Sequence, residues 1–236
     1  MCIRCGQFAP SRRRFISLAA AGVAASAAFG GRAFAAGGGS GMTGDEALTK
    51  LMAGNKQFVE APDACAINLK TLAKQREQVA PKQTPWATIL TCADSRVPPE
   101  LLFGGLGLGE LFVARNAGNM ADTDTMGTIE YGAEHLNVPL VVVLGHERCG
   151  AVEAACEVYR NKMLLPEGSI GPMVAAIIPA AEAVHNLPGD LVENTVRESA
   201  KRTAKKISAS EIVSHLHVKV VAARYDLDDG KVEFLT

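Results

Sequence analysis

Apolar residues along the chain follow two rhythms. Short β-branched runs bounded by turn residues read as buried strands: Trp86-Ala87-Thr88-Ile89-Leu90-Thr91-Cys92, Leu111-Phe112-Val113-Ala114-Arg115 and Leu140-Val141-Val142-Val143-Leu144. Around them the spacing is helical. Ala47, Leu48, Leu51, Met52 and Phe58 predict a helix that opens at Thr43-Gly44-Asp45-Glu46 and runs to about Val59; a second fits Leu69 to Val79, ahead of Pro81 and Pro85. Met126, Ile129, Ala133 and Leu136 predict a helix within Thr125 to Asn137. Another starts near Cys149, a Pro/Gly-interrupted stretch follows, and a long amphipathic helix runs from about Leu191 to Ile207. A fourth strand, His217 to Arg224, then turns at Asp228-Asp229-Gly230 into a short edge strand, Lys231 to Leu235.

Strand, helix, strand makes a parallel crossover unit. The predicted fold class is therefore α/β: a mainly parallel β-sheet flanked by helices on both faces, with an antiparallel C-terminal edge strand. In such sheets ligands sit beyond the carboxyl ends of strands, where strand order reverses. Any chemistry is thus expected just after Leu90 and just after Leu144. No internal repeat is present.

Composition sharpens this picture at the N-terminus. The 236 residues carry a formal charge of −1, but Arg4, Arg12, Arg13, Arg14 and Arg32 all precede the first acid, Asp45. Without those five, 24 basic residues fall to 19 against 25 acidic ones, which leaves the remainder clearly acidic. Aromatics make up only 5%, so neither charge nor stacking surface supports binding to nucleic acid. Ser11-Arg12-Arg13-Arg14-Phe15-Ile16 leads into the uncharged stretch Phe15 to Gly31, then Arg32 and the small-x-small triplet Ala33-Phe34-Ala35. This has the form of a signal peptide, with paired arginines and an Ala/Gly-rich apolar region similar to a twin-arginine signal. The stretch is short and Ala-rich for a membrane anchor. Residues 1–35 are expected to be a signal cut after Ala35, read by the twin-arginine translocation machinery and directing the protein to the periplasm. Residues 36–42 form a flexible Gly/Ser linker and 43–236 a single folded domain.

Both expected strand ends hold unusual residues. Cys92-Ala93-Asp94-Ser95-Arg96 follows the first strand, and His146-Glu147-Arg148-Cys149 follows the third. A lone histidine after a strand commonly caps or packs, and buried cysteine is ordinary. Two cysteines and one histidine together are a Zn2+ donor set, and three protein ligands leave a fourth position open, as catalytic zinc requires. His146 and Cys149 stand three apart, so both would point the same way at the start of a helix. Cys92 joins them if the first and third strands are neighbours.

These residues resemble the β-class carbonic anhydrase family, whose Cys-x-Asp-x-Arg and His-x-x-Cys patterns occur here unbroken. Leu51-Met52-Ala53-Gly54-Asn55-Lys56-Gln57-Phe58 is similar to its N-terminal helix motif, and Gly109-Glu110-Leu111-Phe112-Val113-Ala114-Arg115-Asn116-Ala117-Gly118-Asn119 to its second-strand motif. Thr128-Ile129-Glu130-Tyr131, Tyr225-Asp226-Leu227 and Gly230-Lys231-Val232-Glu233 also fit, so the resemblance covers roughly residues 45–236. It implies a zinc enzyme that reversibly hydrates carbon dioxide to bicarbonate and a proton through zinc-bound hydroxide. It makes Cys92, His146 and Cys149 the metal ligands. Asp94 and Arg96 become the catalytic pair: Asp94 takes a hydrogen bond from the hydroxide and Arg96 keeps it off the metal, which Asp94 ligates only in a closed state. It places Gln83 against substrate across the interface of a homodimer or larger homo-oligomer, and Phe112 and Tyr131 along an apolar pocket. Ile89 departs from the bicarbonate-regulated subset, which has Trp there, so that regulation is not expected and the open state is the expected resting form.

Two other readings stay open: hydrolysis of carbonyl sulfide or carbon disulfide on the same ligands, and a non-catalytic zinc protein. Retained Asp94 and Arg96 count against the latter, since structural zinc closes its fourth position with a ligand. Gly105-Leu106-Gly107-Leu108-Gly109 precedes a strand and is not a nucleotide loop. Lys201, Arg202, Lys205 and Lys206 read as a solvated helix face. Cys65 and Cys156 are left over, as buried thiols or as a pair.

Overall fold

The computed structural model describes residues 39–65 and 69–235. The expected signal segment, 1–35, lies outside the described residues. Five strands, β1 (Ala87–Cys92), β2 (Leu111–Asn116), β3 (Leu140–His146), β4 (Lys219–Tyr225) and β5 (Val232–Leu235), form one sheet in the order β2-β1-β3-β4-β5. The first four are parallel, and β5 runs antiparallel to β4. The fold class read from the sequence is the fold observed. From β1 the chain steps to β2 at the edge on one side and then crosses back to β3, the central strand, on the other. The switch point therefore lies between the carboxyl ends of β1 and β3.

Period-two alternation assigns the two faces. Ile89, Leu140, Val142 and Leu144 point to one side, where they pack with Ala47 and Leu51 of α1 (Gly44–Glu60). Leu90, Val141 and Val143 point to the other. There they meet Ile129 of α4 (Thr123–Leu136) and Ala200, Ala204 and Ile207 of α7 (Leu191–Ser208). Helix α1 opens on a capping box, in which Thr43 Oγ1 accepts from the Glu46 amide while Glu46 Oε2 accepts from the Thr43 amide. Asp122 and Asp190 cap α4 and α7 by a single bond each, accepting from the Thr125 and Glu193 amides.

Buried Asn55 locks α1 onto the sheet. Its Nδ2 donates to the carbonyls of Leu102 and Gly230, at 3.1 and 2.9 Å, and its Oδ1 accepts from the Val232 amide at 2.8 Å. Gly54 beside it is required by close approach, because a Cβ there would stand 2.0 Å from the Phe103 carbonyl oxygen.

Four differences from the sequence reading appear. The Pro/Gly-interrupted stretch after α5 (Gly150–Asn161) holds a fifteen-residue helix, α6 (Ile170–Val184), with Pro179 inside it. Pro179 is exposed, so the backbone carbonyl that it leaves without an amide donor lies near solvent, while Val174, Ile177 and Ala181 keep the helix packed. Short helices α3 (Pro99–Leu102) and α8 (Glu211–His215) join α2 (Leu69–Val79) as further connectors. The fourth strand begins at Lys219, since His217 has φ +53° and breaks extended geometry. His146 is the last residue of β3 rather than part of a helix. Among the described residues no helix is long and apolar enough to cross a membrane.

Candidate metal centre

Parallel pairing of β1 with β3, Thr91 beside Leu144, sets the two strand ends next to each other. Cys92 ends β1, His146 ends β3, and Cys149 is the N-cap of α5 after a two-residue turn. The expectation that His146 and Cys149 share a helix face is corrected here. Their side chains converge because Arg148 takes a left-handed conformation, φ +50°, and turns the chain back on itself. All three side chains are buried, and their donor atoms lie within 4.8 Å of one another.

The donor geometry suits a tetrahedral ion. Cys92 Sγ and Cys149 Sγ are 3.9 Å apart, against about 3.8 Å for two sulfurs each about 2.3 Å from a tetrahedral zinc. His146 Nδ1 lies 2.8 Å from the Glu147 carbonyl oxygen, an acceptor, so Nδ1 carries the hydrogen. That leaves a lone pair on Nε2. This atom is fully buried and has no hydrogen-bond partner, a costly state for a polar nitrogen unless an electrophile faces it. The residues present therefore fit zinc.

The two sulfurs differ electrostatically. The Cys92 thiol is held well below its ordinary range, chiefly by the hydrogen bond it shares with Cys149 and also by the one from the Gly118 amide. Cys149 is pushed up, first by the hydrogen bond it shares with Cys92 and then by burial. The two sulfurs thus share a proton between them.

Asp94 stands at the rim, with Oδ2 3.8 Å from His146 Nε2. It does not turn inward, because Arg96 holds it in two places. Oδ1 accepts from Arg96 Nε at 2.9 Å and from the Arg96 backbone amide at 2.9 Å, and Oδ2 accepts from Nη2 at 2.7 Å. This fork pulls the Asp94 carboxyl well below the usual carboxylate range, with the Arg96 side-chain bond the largest cause. Arg115, read from the sequence only as part of a strand, proves to be a site residue. Its Nε and Nη2 donate to the carbonyls of Cys92 and Asp94, at 2.9 and 2.6 Å, tying the loop that bears both to β2. Its place one residue before the end of a strand paired with β1 is the only sequence signal for this.

Gln83, Phe112 and Tyr131 are not brought to the donors of their own chain. Gln83 precedes β1, and Phe112 pairs with Thr88 near the start of the parallel strands, whereas Cys92 pairs with Asn116 at their far end. Four residues of strand separate the Phe112 and Asn116 rows, roughly 13 Å. Tyr131 stays with Phe112, ring centroids 6.2 Å apart. Cys65 and Cys156 are free, buried and outside the donor group. A second acidic group, Glu147, Asp226 and Asp228, is paired with Arg148 and Arg224.

A doubly wound sheet with two thiols and an imidazole meeting at its switch point defines a class of α/β metalloenzyme, and comparison with known proteins narrows it. The carbonic anhydrase family model matches residues 87–232. Carbonic anhydrase 2 of Mycobacterium tuberculosis is 36% identical over 189 residues, 77% of this chain and 87% of that protein. A Coccomyxa β-carbonic anhydrase, solved in complex with acetazolamide, has a TM-score of 0.60 at 27% identity, covering 80% of this chain and 86% of that one. The fold alone is shared with tetrameric β-carbonic anhydrases of Sordaria macrospora, with a TM-score of 0.61 at 22% identity over 70% of this chain and 89% of that chain. The chain belongs to the β-class carbonic anhydrases, a family of enzymes.

Zinc binding near neutral pH should release about one proton per ion, the one the two sulfurs share. Titration calorimetry in buffers of different ionisation enthalpy measures this. Release of two protons, or none, contradicts the assignment of the shared proton.

Proposed function

We propose that the protein catalyses reversible hydration of carbon dioxide to bicarbonate and a proton, with zinc held by Cys92, His146 and Cys149. The observation that carries this is the buried, unpartnered His146 Nε2 beside two sulfurs 3.9 Å apart, with a forked Asp–Arg pair at the rim. Bound there, zinc would supply the Lewis acidity that lets a water ionise near neutral pH. Asp94 orients the attacking oxygen by accepting its hydrogen bond. Its carboxyl is held so low by Arg96 that it is a poor base, so it positions the nucleophile without carrying the proton away. Arg96 keeps the carboxylate in that pose and off the donors, and Arg115 fixes the loop beneath it.

Substrate contacts come from a second copy of the chain. Gln83, Phe112 and Tyr131 stand too far from their own donors to serve them, so a homodimer would supply the amide donor and apolar wall that suit an uncharged, linear molecule. Before that, a twin-arginine signal over residues 1–35 would carry the folded, zinc-loaded chain to the periplasm. The reading is supported by Arg12-Arg13 ahead of an uncharged stretch and by the chemistry of the site. Paired thiols loaded in the reducing cytoplasm escape disulfide formation on arrival.

Cys92→Ala should lose zinc, whereas Arg96→Ala should keep it and lose at least nine-tenths of the CO2 hydration rate by stopped flow, about tenfold or more. Equal metal loss in the two variants would make the Asp–Arg pair structural. Sedimentation velocity at assay concentration should show a dimer or larger, and a fully active monomer contradicts the shared pocket. Replacing Arg12 and Arg13 together with Lys should leave active precursor in the cytoplasm; undiminished export refutes the twin-arginine route.

A further inference from the structure

The turn between β2 and α4 reaches into the donor group. Gly118 directs its backbone N–H at Cys92 Sγ, 3.4 Å away. This residue has φ +80°, and a Cβ on it would come within 2.8 Å of Ile177 Cδ1 and 3.3 Å of Ala151 Cβ. Both the left-handed backbone and the missing side chain are needed to bring the amide to the sulfur. Asn116 holds the turn in that shape. Its Oδ1 accepts from the Met120 amide at 2.7 Å, and its Nδ2 donates to the Met120 carbonyl at 2.7 Å and to Thr125 Oγ1 at 3.0 Å. The residue after Gly118, Asn119, is buried and left-handed at φ +46°, and its backbone N–H donates to the Asn116 carbonyl at 3.2 Å. So much local constraint for a five-residue turn has a purpose if the turn exists to place one N–H.

We propose that Gly118, braced by Asn116, is a positioning residue of the metal centre, whose amide sets how much charge the Cys92 thiolate gives to the ion. The inference rests on the zinc reading above and deepens it. Two thiolates are strong donors and weaken the Lewis acidity on which the reaction depends. A backbone N–H on one sulfur draws electron density away and restores part of that acidity. Cys149 has its own counterpart, as the N-cap of the twelve-residue helix α5, where free amides and the positive end of the helix dipole face the thiolate. Each sulfur thus meets backbone N–H groups from a different element.

The direct test uses the intact protein, labelled with 15N and loaded with cadmium-113. A scalar coupling between the metal and the Gly118 amide proton, carried through the N–H···S bond, is the expected result. Cobalt-loaded Asn116→Ala should show its thiolate charge-transfer band moved to lower energy, with zinc affinity about 10- to 100-fold weaker. Asn116→Asp, which keeps the acceptor for the Met120 amide, should recover part of both changes. Stoichiometric cadmium without the coupling, or an unmoved cobalt band in Asn116→Ala, overturns the inference and leaves the zinc reading intact. A chain that binds no metal at one per site defeats both. If Asn116→Ala does not fold, the coupling in the unaltered protein decides alone.

Discussion

Two sulfurs and an imidazole nitrogen packed side by side in an apolar interior are unstable company. The desolvated lone pair of His146 Nε2 lacks a donor, and ionising both sulfurs would set two negative charges 3.9 Å apart. A cation among them removes both penalties at once. The rest of the architecture follows from keeping that meeting point in place: β1 and β3 must be neighbours, their ends level, and the turn after β3 must fold back through Arg148. The cluster of Val152, Val174, Ile177 and Val196 that surrounds the cysteines gives the site dry walls.

Arginine side chains turn this point into a working site. Arg96 and Arg115 both grip the loop after β1, one through a carboxylate and the other through two carbonyls. Arg96 also reaches the Arg148 carbonyl at 3.4 Å, and Arg148 in turn forks onto Asp228 of the β4–β5 turn. The loops at the carboxyl ends of three strands are thereby joined by polar contacts without any of them entering the core. Held in this manner, the Asp94 carboxylate stays at the rim of the donor group, 3.8 Å from His146 Nε2, where the proposed reaction needs an acceptor.

Much of this was legible in the chain. Continuous β-branched runs marked the buried parallel strands, because a strand covered on both faces needs apolar residues throughout, and Cys92, His146 and Cys149 stood out as soft donors at strand ends. Asp94 and Arg96 were legible as a pair by residue type, though the fork between them depends on a turn that spacing does not reveal. Helix α6 was hidden by Pro179, which breaks the helical pattern in sequence although the packing of Val174, Ile177 and Ala181 holds the helix together across it. Arg115 and Gly118 were hidden for another reason. They act through a carbonyl, a backbone amide and an absent side chain, and such roles exist only once β2 lies beside β1.

X-ray absorption of the zinc-loaded protein tests the central claim most directly, since it counts the atoms around the ion. The account predicts two sulfurs at about 2.3 Å and two lighter N or O neighbours at about 2.0 Å, one from His146 and one from solvent. A third sulfur, or a first shell without two, would contradict it, because the donors would then lie elsewhere than the ends of β1 and β3.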